Sequence, residues 1–211
     1  KLNDVQPVRC LTSPEHENFV IDGFATTSNC GFVSTENIDA EMSKPFAFLM
    51  DMSMVGVGIG FDTKGADKVS SYEPVGEPEL LVVEDSREGW VELIACLIDS
   101  YLEEGSTPII PDLSLVRAYG APIVGFGGVA SGPEPLLQGF NAIKDILSAR
   151  AAKTNSLLSS VDIVDIMNII GAVVVAGNVR RSAQIAIGDA DDVEYLLSKR
   201  WDMGTIPSWR A

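Results

Sequence analysis

Two adjacent arginines, Arg180 and Arg181, stand in a loop-like segment that begins at Gly177 and reads Gly-Asn-Val-Arg-Arg-Ser-Ala. Guanidinium groups make bidentate hydrogen bonds to phosphate. A pair of them in so acidic a chain therefore suits recognition of an anion or a base. The alternative is that both arginines form surface ion pairs with the aspartates of residues 189–192.

A glycine-rich segment at 56–65 is the second candidate. Gly56, Gly58 and Gly60 let the backbone approach a ligand or a neighbouring strand closely. A dinucleotide fingerprint needs a strand before the glycines and a helix after them, whereas here a predicted helix comes before and a turn follows. The sequence leaves two roles open for this segment, nucleotide binding and tight packing. The same two roles are open for the glycine-rich segment 125–133.

The three cysteines, Cys10, Cys30 and Cys96, do not form a disulfide framework, which suits the reducing cytoplasm. Cys30 lies at the start of a predicted apolar strand. From the sequence alone it could be a buried structural thiol, as lone cysteines commonly are. Cys96 lies between Leu93 and Leu97 on a predicted helix and is expected in the core. One histidine and three scattered cysteines offer no metal-ligand spacing.

The bulk composition limits the function classes. With 211 residues, 46% of them apolar, the chain can fill the core of one large domain or two small ones. A net charge of −15 argues against a nucleic-acid surface, although one local positive cluster can still hold a small phosphorylated ligand. The sequence shows no apolar run of membrane-spanning length and no secretory amino terminus.

Helical and strand-like segments alternate along the chain. Apolar residues at helical spacing predict helices at 36–55, 85–102, 135–151 and 161–170. Short extended segments are predicted at 8–11 and 18–21, short strands at 31–35 and 185–187, and strands with loops at 105–135. The acidic stretch 72–84 has no predicted element. Helices mixed with short strands indicate an α/β or α+β architecture.

Six blocks in a fixed order resemble the monomeric class II, adenosylcobalamin-dependent ribonucleoside-triphosphate reductases over residues 30–211. They are NCGFVST (29–35), DMSMVGVGIGFDTKG (51–65), EDSREGW (84–90), YGAPI (119–123), GFGGVASGP (125–133) and AGNVRRSA (176–183). Each block is weak by itself, and the six in sequence are specific.

The resemblance implies an α/β fold in which this chain supplies the first part of a ten-stranded α/β barrel, with an effector-binding insertion. It also implies a cytoplasmic, monomeric parent enzyme with adenosylcobalamin as cofactor, which generates a thiyl radical. The expected partners are a ribonucleoside triphosphate substrate, a deoxynucleoside triphosphate effector and a thioredoxin-like dithiol reductant.

The resemblance also assigns residue roles. Cys30 resembles the first member of the dithiol that is oxidised to a disulfide while the ribose 2′-carbon is reduced. Residues 58–69 resemble a first effector-binding segment, the stretch from about Glu79 a second one with the insertion, and residues 177–184 the specificity loop. The implied nucleotide-binding residues are Gly58, Gly60, Asp62, Thr63, Lys64, Gly65, Asn178, Arg180, Arg181, Ser182 and Gln184.

The family's remaining catalytic groups, namely the radical cysteine, the second redox cysteine and an acidic proton-transfer residue, are expected beyond residue 211. Cobalamin contacts are not identifiable in this sequence. The rival hypothesis is a non-catalytic nucleotide-binding module with a structural Cys30.

Residues 1–29 depart from the family and resemble the carboxyl-terminal end of an intein. Asn29 would cyclise and cleave its own peptide bond, Cys30 would be the acceptor thiol, and His16 would assist proton transfer. The usual penultimate histidine is Ser28 here, which is expected to slow the cyclisation. The alternative is a divergent amino-terminal extension.

Overall fold

A computed structural model describes residues 18–21, 25–28, 30–123, 128–176, 182–200, 202 and 207–210. The strands in this part of the chain are β1 (Asn18–Ile21), β2 (Ala25–Ser28), β3 (Gly31–Val33), β4 (Ile59–Asp62), β5 (Glu79–Val82), β6 (Ile109–Asp112) and β7 (Gln184–Ile187). The helices are α1 (Ile38–Glu41), α2 (Lys44–Met54), α3 (Arg87–Leu102), α4 (Glu134–Ala151), α5 (Ser160–Val175) and α6 (Val193–Leu197), with a 3-10 helix at Ser208–Arg210.

A parallel sheet of three strands, in the order β3-β4-β7, organises the domain. Its register pairs Gly31 with Ile59 and Ile59 with Gln184. The central strand β4 is buried along its whole length. The mixed α/β class is thus confirmed, while the described residues form an open sheet and not a closed barrel.

Two smaller sheets complete the strand pairing. β5 and β6 form a parallel pair, and β1 and β2 form an antiparallel hairpin. The strand at 18–21 agrees with the extended segment expected in the first 29 residues. β5, by contrast, lies in the acidic stretch where no element was predicted, because its partner β6 is about thirty residues further along the chain and local spacing does not reveal it.

Four helices, α2 to α5, pack together and contribute most of the core. Phe46, Leu93, Ile143 and Ile166 are among the fully buried side chains at their contacts. α5 is apolar around most of its circumference, which is typical of a helix with neighbours on several sides. None of the described helices is long and apolar enough to cross a membrane.

The predicted helix 36–55 is wrong in one respect, because the chain breaks it into α1 and α2. Met42 adopts a left-handed φ of 52° at the break. The backbone N–H and the hydroxyl of Ser43 then donate to the Asp99 carboxylate of α3, at 3.0 and 2.8 Å. This carboxylate satisfies a free N–H at the start of α2, the role of an N-cap.

Two other predicted positions shift. α5 continues to Val175, beyond the predicted end at 170, because Val173 and Val174 stay buried. Cys96, expected in the core, is only half-buried. Burial and the neighbouring Glu92 and Asp99 carboxylates raise the pKa of its thiol.

Candidate functional site

The predicted site residues that the structure describes fall at opposite ends of the parallel sheet. Cys30, Gly58 and Ser182 precede the first residues of β3, β4 and β7, whereas Asp62 is the last residue of β4 and residues 63–65 follow it. A four-residue strand separates the two ends by about 13 Å. The predicted residues at the two ends therefore do not form one compact cluster.

At the amino end, Cys30 is exposed, so the buried structural thiol considered for it is wrong. A methyl group built on Gly58 would lie 3.5 Å from Cys30 Sγ and 3.7 Å from the Ala183 carbonyl oxygen. Both distances are ordinary van der Waals contacts. The bare Cα of Gly58 thus leaves a space one methyl group wide beside the thiol.

The end of the predicted specificity loop is tied to this same edge. The Ser182 hydroxyl donates to the Val57 carbonyl at 2.9 Å, and the Ile59 N–H donates to the Ala183 carbonyl at 2.9 Å. The carboxamide of Gln184 lies so close to α5 that a methyl on Gly171 would approach it to 2.6 Å. In this structure Ser182 and Gln184 anchor the loop end.

Residues Asn178, Arg180 and Arg181 lie outside the described residues, as do His16 and Asn29 of the proposed intein segment. Their assignments remain predictions from the sequence.

At the carboxyl end, Asp62 is buried and satisfied by the protein itself. Its carboxylate accepts from the Ser34 hydroxyl at 2.7 Å, from the Thr35 N–H at 2.8 Å and hydroxyl at 3.0 Å, and from the Lys64 N–H at 3.4 Å. Burial raises the pKa of Asp62, but these hydrogen bonds outweigh it and hold the pKa below its ordinary value. The geometry gives Asp62 a structural role.

The neighbours of Asp62 share that role. Thr63 is buried, and the Gly65 N–H donates to the Thr35 hydroxyl at 2.9 Å. Lys64 reaches Glu36 at 3.7 Å on the surface. Within β4, a methyl on Gly60 would meet the Phe32 ring at 2.9 Å, so this glycine serves tight packing.

A cavity of about 140 Å³ lies where α2 and α5 end and α3 begins. Its described lining is Met54, Asp85, Ser86, Arg87, Trp90, Val116, Arg117, Ile123, Val129, Ala130, Ser131, Gly132, Val173 and Val174. The described lining carries two guanidinium groups and one carboxylate, which makes these two arginines the candidate groups for an anionic ligand.

Both cavity arginines are paired with carboxylates. Arg117 Nε lies 2.5 Å from Asp85 Oδ2. Arg87 lies 3.2 Å from Asp51 of α2 and 2.8 Å from its neighbour Glu88. The wall holding Arg87 is fixed by an N-cap, since the Ser86 hydroxyl accepts from the Gly89 N–H at 3.0 Å.

The sequence held signals for most of this cavity, because Met54, Ile123 and residues 129–132 lie in recognised blocks. Residues 84–90 belong to a recognised block, and their cap residue and glycine mark a helix start. Gly89 is required there because a methyl group would approach the Glu84 carbonyl to 2.6 Å. No local pattern marks Arg117, which reaches the cavity from the segment after β6.

A second space of about 380 Å³ lies between α4, α5 and Trp209, and its lining is mainly apolar without charged groups. Neither space encloses a group as large as a corrinoid, and we assign none of the described residues to that cofactor. Among the described residues there is also no group of three side chains able to hold a metal ion.

Comparisons with known proteins agree with this architecture. Residues 63–147 match the insertion domain of B12-dependent ribonucleotide reductase. A crystal structure of B12-dependent (class II) ribonucleotide reductase superposes with a TM-score of 0.63 at 29% identity, covering 82% of this chain and 30% of that one. The insertion match begins at Thr63, earlier than the expected onset near Glu79.

Curated relatives point the same way. A probable adenosylcobalamin-dependent ribonucleoside-triphosphate reductase of Dictyostelium discoideum is 44% identical over 85% of this chain and 26% of its own length. The adenosylcobalamin-dependent ribonucleoside-triphosphate reductase of Euglena gracilis is 40% identical over 85% of this chain and 25% of its own length. The chain therefore spans about a quarter of the length of these relatives.

The matched insertion domain and the superposed fold are those of the ribonucleotide reductases. Within that class, the chain belongs to the class II, B12-dependent family.

Proposed function

We propose that the chain is a segment of an adenosylcobalamin-dependent enzyme that converts ribonucleoside triphosphates to 2′-deoxyribonucleotides. The observation that carries the proposal is the exposed Cys30, which stands at the amino end of the parallel sheet beside the open space over Gly58. The names of the relatives support the same activity.

In this proposal Cys30 is one of two thiols that supply the reducing electrons. Each thiol gives one electron and one proton, the ribose 2′-hydroxyl leaves as water, and its carbon gains hydrogen while a disulfide forms. A thioredoxin-like dithiol then regenerates both thiols by exchange. The second thiol belongs to the rest of the reductase.

The cavity at the start of α3 is proposed as the site of a deoxynucleoside triphosphate effector. A space of about 140 Å³ is of the size that encloses one aromatic ring, since an engineered apolar cavity of about 150 Å³ binds benzene. Trp90 and the apolar wall suit the base, while Arg87 and Arg117 suit the phosphates.

A binding experiment on the chain tests the effector site. Each of the four deoxynucleoside triphosphates is titrated by calorimetry against the wild type and Arg117→Gln. The matched control is Arg200→Gln, because Arg200 forms a comparable pair with Asp202 outside the cavity. We expect Arg117→Gln to weaken binding roughly tenfold or more and Arg200→Gln to leave it unchanged. Equal affinities for all three proteins would exclude this cavity.

We also propose that the loop 177–184 carries effector identity towards the substrate through Arg180 and Arg181. The support is the hydrogen bond from the Ser182 hydroxyl to the Val57 carbonyl, which holds the end of this loop at the same sheet edge as Cys30.

For residues 1–29, we propose the end of an intein that leaves Cys30 as the first residue of the reductase. The motivating features are the Ser28-Asn29-Cys30 sequence and a β1–β2 hairpin that forms a sheet of its own and ends at Ser28. Co-expression with a matching amino-terminal intein half should release a product that begins at Cys30, as measured by intact mass. Asn29→Ala should prevent the release, and a mature product that keeps residues 1–29 would rule out the intein.

A further inference from the structure

Arg117, the proposed phosphate ligand, is held by a carboxylate of the same cavity wall. Asp85 Oδ2 lies 2.5 Å from Arg117 Nε, and the two side chains are 28% and 37% exposed. Asp85 is the one carboxylate among the described lining residues. A negative charge in the wall of an anion site opposes binding, so its presence there needs an explanation.

The geometry of the guanidinium group shows what Asp85 blocks. A phosphate binds arginine most strongly in a bidentate manner, across two neighbouring N–H donors of the planar group. Asp85 occupies Nε, and the Pro122 carbonyl lies 3.5 Å from Nη1. Each bidentate edge of Arg117 therefore has one donor engaged by another group of the protein. A phosphate that takes the Nε edge has to displace Asp85.

We propose that Asp85 is a built-in competitor of the nucleotide, which holds Arg117 before the nucleotide binds and releases it to the triphosphate. The inference rests on the proposed effector site and adds a regulatory element to it. The pair keeps Arg117 extended in the wall before the ligand arrives. It also lowers the affinity, so that one effector can leave and be replaced by another as their concentrations change.

A substitution that removes only the charge tests this role. Asp85→Asn retains the side-chain shape and an oxygen that accepts from Arg117 Nε. Calorimetric titration of the chain with dATP and with inorganic triphosphate should then show affinities roughly three- to tenfold higher than for the wild type, with and without Mg²⁺. The matched control is Glu88→Gln, which removes the charge of an Arg87 partner outside the described cavity lining, and we expect less than a twofold change in affinity.

A double variant separates competition for Arg117 from simple charge repulsion. In the Arg117→Gln background, Asp85→Asn should change the affinity by less than twofold, because the contested donor is gone. An equal gain in both backgrounds would overturn the proposal, since Asp85 would then act only through its field. Unfolding temperatures of all variants verify that the fold is kept.

Two further outcomes of these titrations would overturn the competitor role or the effector site. Weaker binding in Asp85→Asn, or a loss confined to Mg²⁺-containing solutions, would make Asp85 a supporting or metal-binding residue and overturn the competitor role alone. Absence of binding to every protein, Asp85→Asn included, would overturn the effector site itself and the competitor role with it.

Discussion

Cys30 and Gly58 meet at the amino end of the parallel sheet, where the thiol sulfur lies 3.5 Å from the position that a Cβ of Gly58 would occupy. The contact joins the residue proposed for redox chemistry to a glycine that the sequence suggested for effector binding. Gly58 is thus a neighbour of the thiol, and the whole of β4 lies between Gly58 and residues 63–65.

Replacing Gly58 by alanine should leave the fold intact and shield Cys30. The added methyl meets nothing closer than 3.5 Å, so the unfolding temperature should change little, while Cys30 should react more slowly with a bulky disulfide reagent. The reaction rate is measured in a Cys10→Ser background, which leaves Cys30 and Cys96 as the thiols. Cys96 serves as a slowly reacting internal reference, because its thiol is half-buried and its pKa is raised. An unchanged rate for Cys30 would show that the space over Gly58 is not an approach to the thiol.

Gly65→Ala, in contrast, should destabilise the protein by about 1–3 kcal/mol. Its methyl would approach the Thr35 carbonyl to 2.7 Å, and a backbone atom there has little freedom to move. Chemical denaturation of the two glycine variants side by side makes the comparison. Equal stabilities would contradict the packing that we assign to the turn after β4.

Asp62→Asn should cost about 2 kcal/mol, because an amide cannot accept all the hydrogen bonds that the carboxylate receives from Ser34 and Thr35. The pKa of Asp62 is lower in the folded protein than its ordinary value of 3.8. Its contribution is therefore complete above the unfolded value and is lost as the pH falls through the lower folded value.

The free energy of unfolding, measured by denaturant titration from pH 7 to pH 2.5, should accordingly fall less steeply in Asp62→Asn than in the wild type below about pH 4. Parallel acid profiles for the two proteins would count against the pKa shift. A control variant, Asp39→Asn, alters an exposed carboxylate of α1 and should retain the wild-type profile.

Asp99→Ala should destabilise the protein by about 1 kcal/mol through loss of the cap on α2. Its carboxylate receives both donors of Ser43 from the neighbouring helix. Glu104→Ala, which changes an exposed acid just beyond α3, should have no measurable effect on the unfolding temperature. If Asp99→Ala is equally neutral, the break between α1 and α2 does not depend on this cap.

In the full-length reductase, Arg180→Ala and Arg181→Ala should alter which substrate each effector favours, with little change in the unfolding temperature. Guanidinium groups that recognise nucleotides lose bidentate hydrogen bonds on truncation, whereas exposed ion pairs contribute little to stability. Product ratios from mixed substrates in the presence of each effector provide the measurement. Unchanged product ratios for both variants would contradict the specificity role and favour the surface ion pairs with residues 189–192.

Much of the fold could be predicted from the sequence, because the features concerned are local. The apolar spacing of α3, α4 and α5 and the turn after the glycine-rich segment are patterns of neighbouring residues, whereas β4 was not predicted because it is defined by pairing with β3 and β7. The position of Cys30 before a strand was equally visible. The order of the six blocks gave the family, which the comparisons confirm.

What only the tertiary structure decided depends on contacts between residues far apart in the chain. The cap of α2 comes from Asp99, 56 residues after Ser43, and β5 exists because it pairs with β6. The same holds for the candidate sites. The parallel register put Gly58 beside Cys30 and Asp62 at the opposite end, and folding brought Arg117 to Asp85 across 32 residues. Spacing along the chain determines which side chains lie on the same face of a helix or strand. Only tertiary packing determines which other element that face contacts.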